Sequence, residues 1–137
     1  MSVKERTQDL AMVTELVRIH LPEQLKDNEL CKDMCAVIAV NLRRVHDDTE
    51  QSAKAWDKRT YFSKAEELRA EMAWALPLAQ VVEAMAYSPK KFDKADVDRL
   101  NMLLPDFLEL PLRPRFKDVT VLRGAAGAAR ATLLKKK

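Results

Sequence analysis

From Tyr61 to Ala86, small or apolar residues recur at spacings of 4, 3, 4, 3, 4, 3 and 4: Tyr61, Ala65, Leu68, Met72, Ala75, Ala79, Val82 and Ala86. Only a helix returns such positions to one face, so the pattern predicts a long third helix over roughly 53–87. Pro77 lies inside it and is expected to kink it, because proline lacks an N–H and crowds the preceding turn. Only 2 of the 137 residues are Gly, which argues against hairpin folds and glycine-rich phosphate loops.

The rest of the chain carries the same period. Leu10, Val13, Val17 and Leu21 mark a first helix over 5–21, ended near Pro22. Leu30, Met34, Val37, Ile38, Leu42 and Val45 mark a second over 28–46, apolar all round between Met34 and Val40 and therefore central. The polar run 47–52 reads as a loop or a solvated turn. A fourth helix starts at an Asp93 N-cap, with Asp96 in its first turn and Phe92 and Val97 placed as a hydrophobic staple. Its apolar face, Val97, Leu100, Leu103, Leu104, Phe107 and Leu108, carries it to about 110. Pro105 is expected to kink or split it, and Pro111 and Pro114 to stop it. Residues 115–122 alternate weakly, and 124–134 are Ala-rich enough for a short helix. The expectation is an all-α antiparallel bundle of about four helices over 1–112, followed by a basic C-terminal segment over 113–137.

Charge follows that division. Residues 1–110 hold 16 Lys and Arg against 20 Asp and Glu, whereas 111–137 hold 8 basic residues against Asp118 alone. An acidic body with a basic end predicts an anionic partner for the end. No stretch is long and apolar enough to span a bilayer, and the charged start Met1–Arg6 has no signal-peptide core, so no membrane association and a cytoplasmic location are expected.

Motifs for catalysis are missing. The chain has no Walker A, no Gly-x-Gly-x-x-Gly and no Gly-x-Ser-x-Gly, and no Glu is followed three residues later by His. Glu15, Glu66, Glu67, Glu71 and Glu83 mostly read as solvated positions. Cys31 and Cys35 share a helix face, with His20 and His46 eleven residues outside them, a spacing that matches no common zinc pattern. Two free buried thiols are the simpler reading. No cofactor and no enzymatic activity are expected, a metal-dependent enzyme being the least favoured function.

The segment Lys54–Lys64 interleaves cations with Trp56, Tyr61 and Phe62. Cations hold phosphates and aromatic rings stack on bases, which points to nucleic acid. The candidate contacts are Arg43, Arg44, Lys54, Trp56, Lys58, Arg59, Tyr61 and Arg69, with Arg113, Arg115, Lys117 and Arg123 from the basic end. Trp74, Leu78, Val81 and Met85 form a second apolar line on the long helix and are expected to meet a protein partner or a second copy. The sequence therefore suggests a non-catalytic helical subunit that binds RNA or single-stranded DNA within a larger assembly. The alternative is an interaction or oligomerisation module that binds no nucleic acid.

Overall fold

The computed structural model describes residues 3–135; Lys136 and Lys137 of the basic end, and Met1 and Ser2, lie outside the described residues. About three quarters of the protein is helical, and there is no strand among the described residues. Helix α1 (Val3–Glu15) runs through a π-helical turn, Leu16–His20, into the short turn Leu21–Glu23. Helix α2 (Asn28–Lys58) is followed by α3 (Phe62–Glu71), α4 (Ala75–Tyr87) and α5 (Lys94–Leu103). A 3₁₀ turn, Val119–Leu122, then leads to α6 (Ala125–Lys135).

Helix α2 is the axis of the fold, and α1, α3, α4 and α6 all pack on it. Its inward residues Leu30, Met34, Cys35, Ile38, Ala39, Leu42 and Val45 are fully buried. Each large side chain among them contributes roughly 1.5–3 kcal/mol through removal from water. Ion pairs and hydrogen bonds set α1 antiparallel to α2: Arg6 meets Asp48 at 2.7 Å, Asp9 meets Arg44 at 2.8 Å, and Asn41 reaches the Met12 sulfur.

Three helix boundaries differ from the sequence expectation. Helix α2 passes straight through the polar run 47–52, because two of its polar residues find partners without leaving the helix. Asp48 is buried against Arg6, and the Thr49 hydroxyl donates to the Val45 carbonyl at 2.7 Å. The long third helix is divided into the end of α2, α3 and α4. The chain turns at Arg59–Tyr61, where Thr60 has φ +64°, and again around Met72–Trp74. Pro77 does not kink a helix. It sits in the first turn of α4, where an N–H would have no helical acceptor. The seam periodicity survives the breaks, since Ala65, Met72, Ala75, Ala79, Val82 and Ala86 all face the core. Finally, α5 ends at Leu103 rather than near 110. Leu104 precedes Pro105 and takes the extended conformation (ψ 129°) that a following proline favours.

The Asp93 N-cap is as expected, and it forms a reciprocal capping box with Asp96. Phe92 and Val97 are both buried in the main core.

The chain beyond α5 is laid over α1 and α2 and tied there through its backbone. Arg18 donates to the Leu108 carbonyl at 2.8 Å. Glu15 accepts from the N–H groups of Arg115 and Phe116 at 2.7 and 3.1 Å. Asp33 accepts from the N–H groups of Gly124 and Ala126, capping α6 from the side of α2. Leu108, Val119 and Leu133 bury their side chains in the common core.

Candidate nucleic-acid interface

The α2–α3 corner is built by a helix that stops without glycine or proline. The Arg59 and Tyr61 N–H groups both donate to the Trp56 carbonyl, at 3.1 and 3.0 Å, and the Thr60 N–H to the Asp57 carbonyl at 2.9 Å. Closing the turn puts Thr60 in the left-handed region, a costly place for a β-branched residue. Arg69 on α3 fixes the corner from below. It pairs with Asp57 at 2.9 Å and Glu50 at 3.6 Å on α2, and with Glu66 on its own helix at 3.4 Å. The Asp57 hydrogen bond holds its guanidinium above the usual arginine value.

The reversal carries the aromatics outward. Tyr61 is 52% and Phe62 59% exposed, although the place of Tyr61 on the seam suggests core. Trp56, half-buried, meets the Tyr61 ring edge-to-face at 5.7 Å. The Lys64 ammonium lies 4.8 Å from the Trp56 ring centroid and 5.6 Å from that of Tyr61, and the Arg59 guanidinium lies 5.8 Å from Trp56. Trp56 is thus already engaged by cations of its own chain, whereas Tyr61 and Phe62 are the more open rings. Lys54, Lys58, Arg59 and Lys64 are exposed and form no ion pair among the described residues.

The other sequence candidates separate into different surroundings. Arg43 is a correction: it is buried and pairs with Glu83 of α4, with Nη2 to Oε2 at 2.9 Å and a second bond from Nε. Bonding to Glu83 holds its guanidinium above the usual value, and it is not presented to a ligand. Arg44 is partly exposed but engaged by Asp9 and Asn41. Arg123 pairs with Asp27. Arg113, Arg115 and Lys117 are exposed on the segment after α5, which Glu15 ties to the end of α1 through the Arg115 and Phe116 N–H groups. Phe116, their neighbour, shares a groove with Arg44, which lies fourteen residues and hence about 21 Å along α2 from Lys58. Asp47 and Glu50 lie on the intervening turns.

The interface expected at Trp74, Leu78, Val81 and Met85 falls on residues that pack largely within the chain. Leu78 and Met85 are buried, and Trp74 and Val81 are half-buried. Helix α4 is apolar on two sides because α2, α5 and α6 all pack against it. Trp74 is met edge-to-face by Phe107 at 6.5 Å.

Cys31, Cys35, His20 and His46 do not converge, and no group of three or more His, Cys, Asp or Glu among the described residues is arranged to hold a metal ion. Both thiols are free and buried. Cys31 donates to the Gln24 carbonyl, and burial pushes its thiol up to about 11 and that of Cys35 further still. Such thiols stay protonated and unreactive at neutral pH. His20 is held by Glu15 at 2.7 Å. Of the glutamates expected in solvent, Glu15 and Glu83 are instead fully inside, each satisfied by partners distant in the chain.

No protein-family model matches this chain, and no curated protein or solved structure is significantly similar to it.

Phe62 and Lys64 lie in the segment the sequence points to but were not among its candidate contacts. Their exposure depends on the break at Thr60, and nothing in Lys58-Arg59-Thr60-Tyr61 marks a helix end in advance.

Proposed function

We propose that the protein is a non-catalytic helical subunit that binds single-stranded nucleic acid, RNA or DNA, at the α2–α3 corner, as part of a larger cytoplasmic assembly. The observation that carries this reading is the exposure of Tyr61 and Phe62 among four cations with no carboxylate partner among the described residues. Lys54, Lys58, Arg59 and Lys64 supply charge for the phosphates. Tyr61 and Phe62 supply ring faces for bases, and only an unstacked strand offers bases to them. Trp56 acts as the platform that orients Tyr61, and Arg69 keeps the corner rigid, so that little ordering is needed on binding. The acidic body disfavours general coating of duplex DNA and leaves a local site as the better fit.

Fluorescence anisotropy with labelled single-stranded and duplex oligonucleotides of one sequence tests the reading. Binding is expected to favour the single strand and to weaken linearly on a logarithmic salt scale. Equal affinity for duplex, or none for either, would remove its support.

A further inference from the structure

Residues 104–117 form a strap rather than a helix. Pro105, Pro111 and Pro114 restrict its backbone, and the Arg18 and Glu15 hydrogen bonds hold it against the end of α1 and the π turn that follows. A fixed strap would ordinarily turn its apolar side chains inward. Here Leu104 and Leu108 do so, but Leu112 is fully exposed and Phe107 and Leu110 are about half exposed, Phe107 with its ring against Trp74. Beside them Arg113, Arg115 and Lys117 are exposed and have no carboxylate partner among the described residues.

The same chain carries the opposite surface. On α3, Glu67 and Glu71 lie four residues apart, exposed and with no cationic partner among the described residues. Glu71 borders a groove of about 380 Å³ between α1, α3 and the strap, whose walls include Val3, Leu10, Leu68 and Phe107. The start of the strap therefore adjoins the acidic end of α3. Leucine cannot stack on bases as an aromatic ring does, and Asp106 and Glu109 within the strap repel phosphates, so this surface suits protein better than nucleic acid.

We infer that the occupant of this surface is a second copy of the chain. Arg113, Arg115 and Lys117 of one protomer face Glu67 and Glu71 of the other, and the exposed strap side chains Phe107, Leu110 and Leu112 are covered between them. A two-fold contact satisfies both complementary patches at once, because the basic-to-acidic contact is made twice, once in each direction. The charges set register and orientation, and the apolar residues supply the area removed from water. The oligomer expected from the sequence is thereby moved from the Trp74 line of α4 to the strap.

Sedimentation velocity across a concentration series tests this on the whole chain, with circular dichroism confirming that each variant is folded. Wild type should show twice the mass of one chain and dissociate as salt rises, since exposed charges are screened. Arg113→Glu with Arg115→Glu should be monomeric, as should Glu67→Lys with Glu71→Lys. Mixing the two variants should restore the dimer. A monomeric wild type, a dimer unchanged by either reversal, or two monomeric variants that stay apart on mixing would each overturn the proposal.

Discussion

Arg43 of α2 and Glu83 of α4 form a doubly hydrogen-bonded ion pair inside the protein, forty residues apart in sequence and both nearly out of reach of solvent. An arginine that sequence places beside Arg44 in a basic patch is thus part of the interior. Removing Glu83 strips the buried guanidinium of its doubly bonded partner and leaves the more distant charge of Asp47 to compensate it. Glu83→Ala should therefore lower the unfolding free energy by about 3–5 kcal/mol, whereas Arg43→Met combined with Glu83→Leu should regain most of that loss. Urea titration of the three variants checks this. A small effect of Glu83→Ala would mean that the pair is not desolvated in solution.

Glu15 and His20 lie five residues apart, a spacing that would not face one another on an α-helix. The wider π turn Leu16–His20 brings them together. Glu15 also takes the strap N–H groups of Arg115 and Phe116. Burial alone would raise its carboxyl; these hydrogen bonds outweigh that and hold it below the ordinary value of 4.5. A lowered folded-state value means that the unfolded chain binds the proton first as pH falls. The stability contributed by Glu15 is therefore complete above the unfolded value and is lost as pH drops through the lower folded one. Glu15→Gln should be less stable than wild type at neutral pH and should show a shallower loss of stability below about pH 4.5. Denaturant midpoints at several pH values report both effects, and parallel curves for the two proteins would refute the assignment.

Thr60 holds a positive φ that only glycine adopts without cost. Thr60→Gly should raise stability, by about 1 kcal/mol at most once the greater freedom of glycine in the unfolded chain is deducted. The same change should weaken oligonucleotide binding, because the angle between Trp56 and Phe62 is no longer fixed. Destabilisation on introducing glycine would show that the corner is not strained.

The helical class, the central second helix and the Asp93 start were legible because each rests on local chemistry: a period, an all-apolar run and a cap. The interruptions were not. Pro77 was read as a kink because its effect depends on whether a helix begins just before it, and the break at Met72–Trp74 that creates this start has no glycine or proline. The run 47–52 looked like a loop because the partner of Asp48, Arg6, is forty-two residues away. The aromatic and basic character of 54–64 was visible. Which rings are exposed was not, because that follows from the turn at Thr60. Arg43 and Arg44 are adjacent and identical in type, yet one is buried on Glu83 and the other lies at the surface against Asp9, a difference set by helix rotation against α4 and α1.

If Lys54, Lys58 and Arg59 hold phosphates, replacing all three with Gln should reduce the slope of log affinity against log salt by about 2, at roughly 0.7 per contact for a single strand. The Arg113→Gln, Arg115→Gln, Lys117→Gln variant should leave that slope unchanged, since these residues lie beyond the corner. Equal reductions for both sets would indicate one continuous binding track instead.

The central claim is that exposed rings at the corner stack on bases, and the most direct measurement is single-stranded oligonucleotide affinity of the Tyr61→Ala, Phe62→Ala variant across a salt series. Stacking contributes roughly 1–3 kcal/mol per base and does not release counterions. The variant should bind at least several-fold more weakly at every salt concentration, with the salt slope of wild type and unchanged helicity. Wild-type affinity in the variant, or a loss confined to low salt, would contradict the account.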